Sequence, residues 1–429
     1  LLQAEYTEHH LSKGVRLIFI PTVKFKTISM ALFLHQELRE DLAALNALLP
    51  AVLEQGSRRY PDKLTLQREL ENLYGADLFA DILKSGERHI PAFTLESPHD
   101  KYLGGKHGLL SDDMSVLGSV IADPLVEEEG FKKEYVEQEK NQLIKDINAL
   151  LNDKGAFACE RCVALMCGSE KFGTYKLGRV EDYNTISPVD LYRYYREVIS
   201  ANPVDIYVIG DLEERQVLQE AGETFNFFRN GSPKTLPSTE IEQPVKEVKR
   251  VEEEMQVSQA KLILGFRTYT AYSDRQYCAL LVYNGILGAF PHSKLFMKVR
   301  EEAGLAYYVY SRLERHKGLM VVAAGINYDD RHRAQEIIEQ QLADMRERRI
   351  SDEELENTKK ALVSRLLSQQ DSPIQLISSH LNGTIGGKIY TTEELIAGIE
   401  AVDREELAAV ADKITLDTVY ILRPREGDS

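Results

Sequence analysis

One order of elements occurs twice along this chain, and repetition on that scale leaves few folds open. Each half opens with a strand and two helices, after which a glycine leads into a pair of long strands. In the first half that passage is Leu73-Tyr-Gly-Ala-Asp-Leu, and in the second it is Glu302-Ala-Gly-Leu-Ala-Tyr-Tyr. The halves also close alike: the helix start Ile186-Ser-Pro-Val-Asp-Leu-Tyr precedes the strand Val204-Asp-Ile-Tyr-Val-Ile-Gly-Asp, and Ala401-Val-Asp-Arg-Glu-Glu-Leu precedes Thr418-Val-Tyr-Ile-Leu-Arg-Pro. This pattern predicts an α+β protein of two homologous domains, each a mostly antiparallel sheet with helices packed on one face. A stretch rich in Gly, Pro, Ser and Thr, Phe228-Arg-Asn-Gly-Ser-Pro-Lys-Thr-Leu-Pro-Ser-Thr, separates them. The expected division is therefore an N-terminal domain over 1–227, a linker over 228–250 and a C-terminal domain over 251–429.

Local patterning fills in the elements. A strand is expected over Lys26 to Leu34, followed by helices over Asp41 to Gly56 and Lys63 to Tyr74. Long amphipathic patterns run over Lys133 to Leu151, Arg331 to Arg348 and Asp352 to Leu367, where Leu355, Leu362 and Leu366 keep the spacing of a core-facing stripe. Tyr192, Tyr194 and Tyr195 fall on one helix and read as packing residues with polar tips. Asn382-Gly-Thr-Ile-Gly-Gly387 follows no strand and lacks the lysine of a P-loop, so it reads as a helix cap or hinge. Cys159, Cys162 and Cys167 lie close together, but they sit among Phe157, Val163, Leu165 and Met166 with no second pair nearby. With Cys278 they read as reduced structural thiols rather than metal ligands.

Composition narrows the function classes. A net charge of −16 disfavours a phosphate-backbone partner, so no nucleic-acid role is expected. No apolar run approaches the ~18 residues of a membrane span, and the first residues lack the basic-then-apolar order of a signal peptide. No membrane association is expected, and the expected location is cytoplasmic.

Further motifs connect the chain with a known family. Ser293-Lys-Leu-Phe-Met-Lys-Val-Arg-Glu-Glu-Ala-Gly-Leu-Ala-Tyr-Tyr matches the S-x-L-F-x-x-x-R-E-x-x-G-L-A-Y segment of the pitrilysin/insulinase family of inverted-motif zinc peptidases. Together with the duplicated halves and the linker, it makes the chain resemble the two-domain bacterial or mitochondrial-processing form of that family. The resemblance places Ala47-Leu-Leu-Pro-Ala51 where the family carries H-x-x-E-H, with the register set by Val52-Leu-Glu-Gln-Gly-Ser. Two histidines four apart on a helix face one way and hold one zinc, while the glutamate serves as general base. Ala47, Pro50 and Ala51 can do neither, and a proline inside a helix costs about 3 kcal/mol besides. The family's third ligand, a glutamate on a later helix, is matched to Glu137 in Tyr135-Val-Glu-Gln-Glu-Lys.

The resemblance also implies a role for Arg300 and Tyr307, which in the family resemble a substrate clamp facing the zinc. A guanidinium and a phenol suit a peptide carbonyl or the oxyanion formed from it. A clamp without a metal site implies the non-catalytic, substrate-binding or regulatory subunit of a heterodimeric zinc peptidase. A homologous partner would carry the intact H-x-x-E-H and the zinc, and this chain would bind peptides without a cofactor of its own. The region Gly285-Ile-Leu-Gly-Ala-Phe-Pro-His has only two glycines, so the glycine-rich loop of the mitochondrial presequence-binding subunit is not matched. Two alternatives stay open. One is a structural or peptide-holding homodimer without a peptidase role. The other is a displaced metal site using Glu137 with His35 or His89.

Overall fold

The computed structural model describes residues 6–104, 108–225 and 232–425. These fall into two compact units, one of residues 1–148 with 174–238 and one of residues 149–173 with 239–429.

The first unit is built on strands β1 (Thr7–Ser12), β2 (Val15–Pro21), β3 (Thr27–Leu34), β4 (Gln36–Glu37), β5 (Asp77–Ser85) and β6 (Arg88–Pro98). A small pair, β7 (Val126–Glu127) and β8 (Gly130–Phe131), stands apart, and β9 (Val204–Gly210) inserts into the main sheet. The order is β1-β2-β9-β3-β6, with β4 and β5 both on β6. Only β2 and β9 run parallel in that sheet. Its helices are α1 (Ala43–Glu54), α2 (Lys63–Asn72), α3 (Leu109–Ala122) and α4 (Lys133–Leu150). After an excursion into the other unit through α5 (Lys154–Met166), α6 (Val180–Tyr183), α7 (Pro188–Ala201) and α8 (Glu214–Thr224) complete it. Local chemistry sets the helix starts: Asp62 accepts from the Thr65 amide ahead of α2, and Ser187 accepts from the Asp190 amide with Pro188 in the first turn of α7.

The second unit repeats the pattern. Its strands are β10 (Lys249–Met255), β11 (Ala260–Arg267), β12 (Ala306–Glu314), β13 (Leu319–Ile326) and β14 (Thr415–Pro424), in the order β10-β14-β11-β13-β12. That order reproduces β2-β9-β3-β6-β5, including the single parallel pair, here β10 with β14. Even the turns recur: Gly75 at φ +77° leads into β5, and Gly304 at φ +64° leads into β12. Both backbones need the left-handed region that glycine enters without penalty. The helices are α9 (Tyr277–Asn284), α10 (Arg331–Arg346), α11 (Asp352–Gln369), α12 (Pro373–Gly386), α13 (Thr392–Ala401) and α14 (Arg404–Lys413). Gly387, at φ +79°, caps α12, so the glycine-rich run at its end is a helix terminus. The connecting residues 232–248 form neither helix nor strand, and linker residues 228–231 lie outside the described residues.

The faces of the second sheet follow the two-residue period of a strand. Leu262, Leu264 and Phe266 of β11 join a core with Leu280, Tyr283, Ile338 and Leu407 from the helices. Ile263 points the other way, with Val321, Ala323, Tyr420 and Leu422, and these meet Ala158, Cys159, Cys162 and Met166 of α5. The segment 149–173 therefore belongs to the second packing unit, which corrects the assignment of 1–227 to one domain. Its apolar face has its partners on β11, β13 and β14, and a buried ion cluster holds it there. Glu170 accepts from Arg267 at 2.6 Å and pairs with Lys317 at 2.8 Å, while Arg267 also binds Asp417 at 2.9 Å. All four cysteines are free, and Cys159, Cys162 and Cys167 are buried.

Candidate functional site

The positions that the family motif would occupy lie on α1, within the core of the first unit. Ala47 is 2% exposed and packs against that core together with the partly buried Ala51. Pro50, also buried, sits inside the helix. Two methyl groups and a pyrrolidine ring offer no lone pair to a cation, so this helix does not fit zinc.

The polar groups around α1 are engaged elsewhere. Asn46 donates to His89 Nδ1 at 3.1 Å, and His89 Nε2 donates to the Lys176 carbonyl at 2.8 Å. Burial pushes the His89 imidazole down to about 4, so it is neutral near pH 7. Tyr194 donates to Asn46 Oδ1 at 2.5 Å, and Tyr195 donates to the Ile121 carbonyl at 2.9 Å. The tyrosine run is thus packing with polar tips. His35 Nε2 lies 2.9 Å from Asp205 Oδ2, and Arg16 grips the same carboxylate at 2.7 and 2.8 Å. With both nitrogens of His89 bonded and His35 held by Asp205, neither histidine joins Glu137 in a displaced metal site. Among the described residues, no three His, Cys, Asp or Glu side chains are grouped so as to hold a metal ion.

Glu137 lies on α4 with its side chain 46% exposed, 3.1 Å from Lys140. The buried carboxylate of that helix is Glu139, which accepts from Gln55 at the end of α1 at 2.8 Å. Burial pushes the Glu139 carboxyl up, the Lys63 ammonium pulls it back, and the nearby Glu54 charge raises it further. The family motif points to Glu137, whereas the helical period points to Glu139. It lies three residues after Val136 and four before Leu143, the buried stripe of α4.

Arg300 and Tyr307 belong to the second unit and are placed quite differently. Residues Phe296–Glu302 wind as a wide π turn, which carries Arg300 near its end. The guanidinium lies 4.7 Å from the centroid of the Phe296 ring and 3.7 Å from Glu301, with its side chain 43% exposed. Tyr307 is the second residue of β12. There the register steps from Ala306 opposite Ile326 to Tyr308 opposite Gly325, leaving Tyr307 as the extra residue of a bulge. A bulge re-aims a side chain, and Tyr307 is 76% exposed as a result. Among the described residues its hydroxyl has no hydrogen-bond partner. The structure thus buries the motif positions of the first unit and presents two donors on the second.

Comparison with known proteins agrees with this geometry. A model described as the peptidase M16 inactive domain matches residues 185–362. The probable inactive metalloprotease YmfF of Bacillus subtilis (strain 168) is 34% identical over 418 residues, covering 97% of each chain. A conserved protein from Enterococcus faecalis V583 has the same fold, with a TM-score of 0.92, 28% identity and coverage of 98% of this chain and 99% of its own. A peptidase M16 inactive domain from Pseudomonas fluorescens aligns with a TM-score of 0.79 at 17% identity over 98% of each chain. Among the described residues, no helix is long and apolar enough to cross a membrane. Lacking the donors of the zinc site and related over 97% of its length to the probable inactive metalloprotease YmfF, the chain belongs to the M16 peptidase family as a non-catalytic member.

Proposed function

We propose that this chain is the substrate-binding or regulatory subunit of a two-subunit zinc peptidase. Arg300 and Tyr307 would serve the zinc site of a homologous, catalytically intact partner. One observation carries the reading: Tyr307 is lifted out of the β12 ladder by a bulge, its hydroxyl unpartnered, one turn beyond an exposed Arg300. A strand residue with only a packing role has no need of that presentation. A guanidinium and a phenol are the donors that a peptide carbonyl accepts, and they stabilise negative charge developing on it. Extended peptides are the substrate class.

The test is co-purification with a homologue carrying H-x-x-E-H, followed by metal analysis and peptide hydrolysis. The chain alone is expected to be inactive and the pair active, with zinc held by the partner. In the pair, Arg300→Ala should lower kcat/KM by about a hundredfold, the scale of losing one oxyanion donor. Tyr307→Phe should lower it in the same direction. Unchanged hydrolysis in the double variant removes the clamp assignment. Recovery of only a second copy of this chain, with no hydrolysis by any homologue, favours a structural homodimer.

A further inference from the structure

A cavity of about 820 Å³ opens on the second unit, between the first turn of α5, the β10–β11 turn and strand β12. It is lined by residues of that unit alone. Tyr308 and Tyr310 form one wall, stacked with centroids 6.0 Å apart. Glycines make room for the Tyr308 ring: a Cβ on Gly325 would stand 2.6 Å from its Cε1, and one on Gly155 would stand 3.3 Å from its hydroxyl. Tyr310 is fixed at its tip, where its hydroxyl lies 3.7 Å from Cys159 Sγ. Both rings are therefore placed before any ligand arrives.

Two polar groups in this wall lack hydrogen-bond partners among the described residues. The Tyr308 hydroxyl is buried without a hydrogen bond among the described residues. The Lys261 ammonium lies 5.4 Å from the Tyr308 ring centroid and makes neither an ion pair nor a hydrogen bond among the described residues. Burial lowers its pKa, with the more distant Asp153 charge opposing that shift. Arg312 adds a second cation at the rim, 3.8 Å from Glu314. Of the acids lining the cavity, Asp153 is turned to the α5 amides of Gly155 and Ala156, which leaves Glu160 as the other negative charge. The start of α5 contributes positive potential to the same space.

We infer that this cavity binds an organic carboxylate with a planar, apolar body, its acid group at Lys261 and Arg312 and its body against the tyrosine wall. Either a free aromatic acid or the C-terminal end of a peptide with an aromatic last residue would present that chemistry. Neither Arg300 nor Tyr307 lines this cavity, and the site requires no partner subunit.

Titration calorimetry on the purified chain tests the inference with four probes: N-acetyl-phenylalanine, its amide, a tetrapeptide ending in phenylalanine, and the C-terminal amide of that tetrapeptide. The acids should bind at least tenfold more tightly than the matching amides. Lys261→Met should weaken acid binding at least tenfold while leaving the thermal melt in place, and Arg312→Met should weaken it without loss of fold. Binding of both acids identifies the carboxylate as the recognised group, and binding of the tetrapeptide acid alone identifies a peptide end. Equal binding of acid and amide, no binding of either acid, or full binding by a folded Lys261→Met variant would overturn the inference. None of these outcomes bears on hydrolysis by the two-subunit pair.

Discussion

At the scale of single residues, the sequence speaks most clearly where a side chain is chemically incapable. Ala47, Pro50 and Ala51 exclude metal binding by their atoms alone, and the structure adds that they occupy packing positions on α1. Less legible was which carboxylate of α4 turns inward. The motif comparison selected Glu137, but the stripe through Val136 and Leu143 buries Glu139. Asp205 was legible only as one residue of a strand, because its partners, Arg16 and His35, are distant in sequence. Burial alone would raise its carboxyl, yet the bonds from His35 and Arg16 overcome that and bring it down to about 2. A folded pKa below the ordinary value of 3.8 means stability that is fully present above pH 4 and lost as the pH falls toward 2. Unfolding free energies from urea titration of the wild type and Asp205→Asn should therefore differ by about 2 kcal/mol at pH 6 and converge near pH 2. A gap that stays constant with pH would show that the carboxylate is not the source.

At the scale of elements, helix and strand positions follow from periodicity. The strand expected over 26–34 runs over Thr27–Leu34, and the helix expected over 133–151 runs over Lys133–Leu150. What periodicity cannot convey is the surface an apolar face will meet. The segment holding Cys159 and Cys162 reads as a buried helix, but nothing local assigns it to β11, β13 and β14 rather than to the sheet nearer in sequence. Its docking depends on Glu170, whose carboxyl is subject to burial but is held low by the Arg267 and Lys317 charges. Removing one member of a buried, hydrogen-bonded charge cluster costs about 3–5 kcal/mol, because the remaining charges are stranded. Glu170→Gln is expected to destabilise the second unit on that scale in denaturant titration. Cys162, fully buried in the native protein, should then be labelled faster by a thiol reagent. Labelling at the wild-type rate would mean that apolar packing alone holds α5.

At the scale of the whole molecule, the duplication was readable because both halves keep the same order of elements and a glycine before a strand pair, to which the structure adds the same single parallel pair and a positive φ at each of those glycines. The exchange of residues 149–173 was not, since it breaks the correspondence between chain order and packing. Cutting the gene at the linker would therefore produce an incomplete piece. Residues 239–429 expressed alone would expose Ile263, Val321, Ala323, Tyr420 and Leu422, all buried against α5 in the intact chain. A bare apolar sheet face of this kind promotes association. That fragment is expected to aggregate in size-exclusion chromatography, and a fusion supplying 149–173 should return it to a single species. A soluble, monodisperse fragment without α5 would show that the exchanged helix is dispensable.

The position of β14 sets a timetable for the nascent polypeptide. This strand, Thr415–Pro424, is the last of its unit to leave the ribosome, yet it lies between β10 and β11 and supplies Tyr420 and Leu422 beneath α5. Until it emerges, β10 has no neighbour in the sheet, and a helix translated more than two hundred residues earlier has only part of its seat. Such late closure over a long sequence separation is slow and leaves apolar surface uncovered during synthesis. The second unit thus closes only once its final strand has been made, while the first already has every strand of its own sheet by Gly210.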